Sequence, residues 1–162
     1  MPVKSLIKAL HSIAMEAIVF TSGVRLAEVD SSAAISLAGE CLKLVSDAIA
    51  QLQLMNMTEK DEYVEEALRE LENSKELFKS VITGERSTQT IKRCISYGLE
   101  NRNIFILDLA HSHVHKAIDF LKKSKNCNLY RDVLELLTTA RRESAPTTLY
   151  RLAYEMRKKG GV

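Results

Sequence analysis

The chain has 162 residues with a formal net charge of +2, and 46% of its residues are hydrophobic while 27% are charged. This balance is that of an ordinary soluble globular chain, so we expect a single domain spanning residues 1–162. Two prolines and six glycines are few, which favours long helices joined by short connections. Trp is absent and aromatic residues reach only 6%, which argues against a protein that stacks the bases of single-stranded nucleic acid.

The cysteines and the most apolar segment near the amino terminus indicate a cytoplasmic protein. Cys41, Cys94 and Cys127 are isolated and form no C-x-x-C pair, so we interpret them as reduced thiols of an intracellular protein. The apolar run at residues 13–20 contains Glu16 and is too short to cross a bilayer. The sequence therefore predicts no contact with a membrane.

Residues 1–82 are predicted to form long helices in a bundle-like half. The first spans residues 3–20. The second spans about residues 32–55, where apolar residues recur in alternating steps of three and four, as in bundles and coiled coils: Ile35, Ala38, Leu42, Val45, Ile49 and Leu52. The third begins at a cap formed by Thr58 followed by Asp61 and runs to about Val81. Its solvent side is expected to carry the glutamates Glu62, Glu65, Glu66, Glu70, Glu72 and Glu76.

Residues 83–162 are predicted to form shorter helices after a break at residues 83–85. A short helix over about residues 87–100 has Ile91, Ile95 and Leu99 as its apolar residues. A helix over about residues 104–123 follows, and a polar turn leads into a closing pair of helices. The two members of that pair meet at Pro146, which cannot continue the first helix and fits the first turn of the second.

The closing pair resembles the tetratricopeptide repeat, a helix–turn–helix unit of about 34 residues. The resemblance rests on the apolar and small positions of both helices and on the glycine that ends the second helix: Val133, Leu137, Ala140, Leu149, Leu152, Ala153, Met156 and Gly160. The segment is also similar to small helical-repeat proteins of crenarchaea. The resemblance implies an all-α fold of antiparallel helix pairs, with residues 83–162 forming an α-solenoid-like array on the bundle-like half.

Charge is unevenly distributed along the chain. Residues 58–82 carry eight Asp or Glu against four Lys or Arg, whereas residues 83–162 carry fifteen Lys or Arg against eight Asp or Glu. A basic half next to an acidic helix favours an acidic partner, or contact between the two regions in a homo-oligomer. One alternative function is therefore binding of nucleic acid or another polyanion through Lys122, Lys123, Lys125, Arg141, Arg142, Lys158 and Lys159.

Three residues on one helical face form the best candidate for a metal site. Asp108, His111 and His115 are spaced by three and four residues, the geometry with which two imidazoles chelate a cation. A helical projection turns them away from the apolar stripe of the same helix, toward solvent, whereas His113 lies nearer the core and is expected to be packed or hydrogen-bonded. We therefore predict no metal and no other cofactor, and a metal-dependent helical-bundle enzyme is the second alternative.

The favoured hypothesis is a non-enzymatic protein–protein interaction module or scaffold of the helical-repeat type. In repeat arrays the first helix of each pair lines the inner surface, and its non-core residues contact the partner. In the last helix this set is Tyr150, Tyr154, Arg157 and Lys158. Tyrosines one turn apart with cations beyond them are suited to an acidic, partly apolar peptide.

Overall fold

The computed structural model describes residues 33–96 and 102–148, together with residues 151, 152, 155 and 158. These residues contain α-helices and no β-strand, so the predicted all-α class is confirmed for the described part of the chain. The helices are α1 (Ala34–Thr58), α2 (Glu62–Thr83), α3 (Thr88–Ser96), α4 (Asn103–Lys123) and α5 (Arg131–Glu143), with a 3₁₀ turn at Cys127–Tyr130. The chain is helical again at residues 146–148, directly after the predicted break.

The long helices α1, α2, α4 and α5 form an up-down-up-down bundle. Each helix packs on the next in the order α1, α2, α4, α5, and α5 returns to pack on α1. Neighbouring helices run antiparallel, so α1 is parallel to α4 and α2 is parallel to α5. As a result, α2 and α5 lie at opposite corners of the bundle.

One hydrophobic core joins all four long helices. The largest fully buried side chains come from every one of them: Phe78, Leu52, Leu71, Ile104, Ile106, Leu107, Ile118, Leu121, Leu137 and Val45. The apolar stripe predicted for α1 is buried at Ala38, Val45, Ile49 and Leu52. Its first member is an exception, because Ile35 is 38% exposed.

The short helix α3 turns a different face inward from the one that its apolar residues suggest. Thr90 and Cys94 are buried, while Ile91 and Ile95 face solvent and Ile95 is 69% exposed. The hydroxyl of Thr90 is hydrogen-bonded to that of Ser87 at 2.9 Å, which lets a polar side chain lie on the buried side.

At one end of the bundle, Asp61 links two chain reversals. It is the N-cap of α2, where its Oδ1 accepts a hydrogen bond of 2.9 Å from the backbone N–H of Tyr63. Its Oδ2 accepts from the hydroxyls of Ser124 and Tyr130, the latter at 2.9 Å. Of the predicted pair of Thr58 followed by Asp61, Asp61 is the N-cap and Thr58 is the last residue of α1. The carboxylate of Asp61 also links the α1–α2 turn to the α4–α5 connection.

At the other end, Gly84 and Arg86 organise the exit from α2. Gly84 stops α2 with a φ of 76°, a left-handed conformation that glycine adopts at little cost. Arg86 donates to the carbonyl of Ser80 at the end of α2 and to Oδ1 of Asn103 at the start of α4. Arg86 therefore links the end of α2 to the start of α4, which are separated in the sequence by α3.

The arrangement of residues 83–162 as a repeat array stays a prediction. The helices α4 and α5 form an antiparallel hairpin of the kind found in a repeat unit, and α5 also contacts α1, which closes the bundle.

Among the described residues, no helix combines the length and the apolar character that crossing a membrane requires.

Candidate partner-binding surface

An open groove runs between the carboxyl end of α4, the 3₁₀ turn and the outer side of α5. Its volume is about 610 Å³. The residues that line it include both cationic and apolar side chains: Lys122, Cys127, Asn128, Arg131, Leu134, Glu135, Thr138 and Thr139. The groove therefore belongs to the basic half of the sequence.

The periodicity of α5 explains how the groove is built. Val133, Leu137 and Ala140 are fully buried, and they direct the opposite side of the helix outward. Leu134 lies on the flank of the buried stripe, where it is half-buried and packs against the core. Thr138, one turn later, is exposed, and its short side chain leaves the space beside Leu134 open.

The rim of the groove carries charge of both signs. Lys122 from α4 and Arg131 from α5 supply cations, and Glu135 supplies a carboxylate one turn after Arg131. The neighbouring Lys123 has a different place, because its Nζ lies 5.7 Å from the ring centroid of Phe120. Of these two adjacent lysines, Lys122 lines the groove and Lys123 does not.

Beyond the groove, the two histidines of the predicted metal triad lie on the side of α4 that faces α5. His111 Nδ1 is 3.2 Å from Oγ of Ser144, and that hydroxyl donates to the carbonyl of Ala140 at 2.7 Å. Since a hydroxyl has a single proton to donate, Nδ1 of His111 must carry the proton that is shared with Ser144. His111 is thus half-buried against α5 and does not point to solvent as the sequence predicts.

His115, one turn further along α4, is exposed as predicted. Its Nε2 lies 3.5 Å from Oδ2 of Asp119, and its Nδ1 lies 3.5 Å from Nη1 of Arg141. Both contacts lie at the upper limit of hydrogen-bond length and are solvent-exposed. In the part of the chain that the structure describes, no group of three His, Cys, Asp or Glu side chains is placed to hold a metal ion. The triad Asp108, His111 and His115 therefore does not converge on a common point.

His113 lies on the opposite side of α4, against α2. It is 6% exposed, and its Nδ1–H donates to Oε2 of Glu70 at 2.6 Å. The prediction that His113 is packed or hydrogen-bonded is confirmed. The prediction that Glu70 lies on the solvent side of α2 is wrong, because its side chain is only 19% exposed and contacts this histidine.

The environment of His113 favours the neutral imidazole. Burial lowers the pKa of His113 below its ordinary value, and the hydrogen bond from Nδ1–H to Glu70 offsets only part of that effect. Within the described residues, Nε2 of His113 is a buried nitrogen with no hydrogen-bond partner. A second proton there would have no acceptor, so burial and geometry favour the same state.

The cysteines differ in access. Cys41 is buried and donates to the carbonyl of Ala140 at 3.5 Å. Burial, with Glu143 and Glu40 nearby, raises the pKa of its thiol to about 12. Burial also raises the pKa of Cys94, although Arg86 and Arg93 act in the opposite direction. Cys41 and Cys94 are therefore poor nucleophiles, whereas Cys127 is half-buried and lines the groove.

Most of the residues predicted to contact a partner, namely Tyr150, Tyr154 and Arg157, lie outside the described residues. Lys158 is helical and exposed. Sequence reasoning included Lys122 among the basic residues but did not identify Arg131, Leu134 or Thr138. The alternation of buried and exposed positions in α5 was the available signal for these three.

Comparison of the chain with protein-family models, with curated proteins and with solved structures finds no match. What the surface can bind therefore has to be inferred from its own residues.

Proposed function

We propose that this protein is a non-enzymatic interaction module that holds an acidic, partly apolar peptide segment of a partner protein in the groove between α4 and α5. The observation that carries this proposal is the composition of the groove. The half-buried side chain of Leu134 lines the same open space of about 610 Å³ as two cations, Lys122 and Arg131, and one carboxylate, Glu135. A segment with carboxylates next to aliphatic side chains matches both features.

The expected affinity is modest. Ion pairs at exposed sites such as Lys122 and Arg131 contribute about 0.2–1 kcal/mol each. The apolar contact with Leu134 adds about 25 cal/mol for each Å² that is buried. Such a groove is suited to a transient partner that binds with micromolar or weaker affinity, and the complex should weaken as salt is added.

An acidic peptide fits this surface better than nucleic acid does, because several of the described cations of the basic half already have a contact within the protein. Lys123 lies over the ring of Phe120, and Nε of Arg142 is 4.0 Å from Oε1 of Glu143. Arg141 is directed at His115. A duplex needs a row of cations along its phosphates, whereas a short acidic segment needs only the local pair at the rim.

The proposal includes the helical-repeat description of the carboxyl-terminal half. The α4–α5 hairpin and the turn at Pro146 support it, since both are features of a tetratricopeptide-like unit. Because α5 also contacts α1, the proposed array would begin at the four-helix bundle and continue into the residues after α5. In this description Tyr150, Tyr154, Arg157 and Lys158 extend the binding surface beyond the groove.

The proposal is tested by fluorescence anisotropy with a labelled helical peptide that carries glutamates and leucines on one face. We expect Lys122→Glu to weaken binding of this peptide about tenfold, because the substitution replaces attraction at the rim with repulsion. The matched control is Lys123→Glu, which changes the net charge equally but lies outside the groove. It should weaken binding by less than about threefold.

The outcomes separate the alternatives. Equal losses for Lys122→Glu and Lys123→Glu would show that only net charge matters and would contradict the groove. Stronger binding of a DNA duplex than of the peptide would contradict a peptide ligand. The double variant Tyr150→Ala/Arg157→Ala tests the last helix, and we expect it to weaken peptide binding while the circular dichroism melt stays nearly unchanged.

A further inference from the structure

Two exposed helical stripes in this chain carry opposite charge patterns at the same spacing. On α2, the sequence places Glu65, Arg69 and Glu76 at intervals of four and seven residues. On α5, Arg131, Glu135 and Arg142 follow at the same intervals with each sign inverted. We call the first set the acidic stripe and the second the basic stripe.

Both stripes lie on solvent-facing sides of their helices. Intervals of four and seven residues keep each set on one helical face. The side chains of Arg69, Glu76 and Arg142 are 68%, 72% and 66% exposed, respectively. The remaining members of both stripes are also exposed. Arg131 and Glu135 of the basic stripe line the groove as well.

The bundle determines how the stripes can meet. Because α2 and α5 occupy opposite corners, their outer faces point away from each other, so the stripes of one molecule do not pair internally. The two helices are parallel and start at the same level, since Tyr130 at the start of α5 donates to Asp61 at the start of α2. Glu65 is four residues after Asp61, whereas Arg131 is one residue after Tyr130. Two copies in the same orientation, displaced by three residues or about 4.5 Å along the helix axes, would therefore bring one copy's acidic stripe against the other's basic stripe.

We propose that the partner of the basic stripe is the acidic stripe on α2 of a second copy of this chain. This inference rests on the proposed function, because it names the occupant of the surface on α5. In the pairing, Glu65, Arg69 and Glu76 of one copy oppose Arg131, Glu135 and Arg142 of the next. Because the two surfaces differ and point in opposite directions, the contact is heterologous and copies join in an open row.

The contact is weak and electrostatic. The members of each stripe are solvent-exposed, and three of them already have a partner: Arg69 pairs with Glu66 at 3.0 Å, Glu76 with Lys79 at 3.8 Å and Arg142 with Glu143 at 4.0 Å. Each new ion pair therefore replaces hydration, two of the three also replace an existing partner, and each contributes little by itself. Association should accordingly depend on protein concentration and should be suppressed by salt, with a dissociation constant that rises at least about tenfold between low and high ionic strength.

Sedimentation velocity of two complementary variants of the full chain tests the pairing. Glu65→Gln/Glu76→Gln removes the acidic stripe, and Arg131→Gln/Arg142→Gln removes the basic one. We expect the unmodified chain to form species larger than a dimer at low salt as its concentration increases. Each variant alone should remain monomeric, and an equimolar mixture should form a 1:1 dimer and nothing larger, because one intact stripe of each kind remains. Circular dichroism melts check that both variants are folded.

The control is Lys43→Gln/Asp47→Asn, which changes two exposed charges on α1 and should associate like the unmodified chain. An unmodified chain that is monomeric at low salt, or a mixture that stays monomeric, would overturn the inference. The inference would also be overturned if either stripe variant, tested alone, associated as the unmodified chain does. If the chain is monomeric yet still binds the acidic probe peptide, self-pairing fails and the proposed function stands. If it neither associates nor binds the peptide, both fail.

Discussion

The side of α4 that faces α2 and the side that faces α5 carry the same residue type in different surroundings. On the α2 side, His113 is buried and bonded to Glu70 at 2.6 Å. On the α5 side, His111 is half-buried and His115 is exposed, and the groove opens further along the same side. Polar groups on the closed side must be satisfied within the protein, whereas those on the open side remain accessible to a partner. The comparison indicates that the α4–α2 side is closed and contributes to stability, whereas the α4–α5 side is more open and is the side to which our proposal assigns recognition.

The first way to test this comparison is to truncate one leucine on each side. Leu109 shares the face of His113 and is 2% exposed, so Leu109→Ala should lower the free energy of unfolding by about 2–5 kcal/mol through lost contacts and a cavity. Leu134 is half-buried in the groove, and Leu134→Ala should cost less than half as much. Urea denaturation of both variants measures the difference, and equal losses would contradict an open α5 side.

The second test compares two glutamates of α2 that differ in their partners. Glu70→Ala leaves Nδ1–H of His113 buried without its acceptor, which should destabilise the protein by about 1–3 kcal/mol. Glu66→Ala removes an exposed pair with Arg69 and should change stability by less than about 1 kcal/mol. Helix propensity changes equally in both variants. Glu70→Gln keeps an acceptor and should recover part of the loss, and a full loss in that variant would show that the hydrogen bond is not the cause.

The third test uses pH. Burial holds the pKa of His113 in the folded protein below the ordinary value of 6.5. The unfolded chain therefore binds the proton first as pH falls, so stability is complete above about pH 6.5 and declines below it. Urea denaturation between about pH 7.5 and 5.5 should show this decline, and His113→Gln should reduce it. A His113→Gln variant with an unchanged pH dependence would contradict a neutral buried imidazole.

The smallest expected effect is on the open side. His115 is 54% exposed, and its contacts with Asp119 and Arg141 are both 3.5 Å long. His115→Gln should therefore change the free energy of unfolding by no more than about 0.5 kcal/mol. A large loss in a thermal melt would show that this side of α4 is as tightly packed as the other.

Much of the helical framework could be predicted from the sequence, because periodic apolar residues and strong punctuation act locally. Asp61 caps α2 and Gly84 ends it, as their positions beside amphipathic stretches indicate. His113 was identified as core-facing because it neighbours buried positions of α4. Each of these features depends on residues within a turn or two along the chain.

The remaining features depend on which helix packs against which. Periodicity places Glu70 on the polar side of α2, but the approach of α4 and the hydrogen bond to His113 bury it. Similarly, the exposure of Ile91 and Ile95 follows from how α3 is attached between α2 and α4. The groove beside Leu134 depends on the side-chain volumes of two helices. The spacing of apolar residues along either helix alone does not predict it.

The carboxylate of Asp61 has a consequence for the kinetics of recognition. Its Oδ2 accepts hydrogen bonds from Ser124 and Tyr130 and so holds both ends of the segment between them. This segment includes Cys127 and Asn128, which line the groove. If the groove binds a partner as we propose, the partner meets a preformed surface and does not have to order the protein first. Capture should follow a single bimolecular step whose observed rate increases linearly with ligand concentration. Asp61→Ala removes both hydrogen bonds and should lower the association rate constant, even though Asp61 does not line the groove.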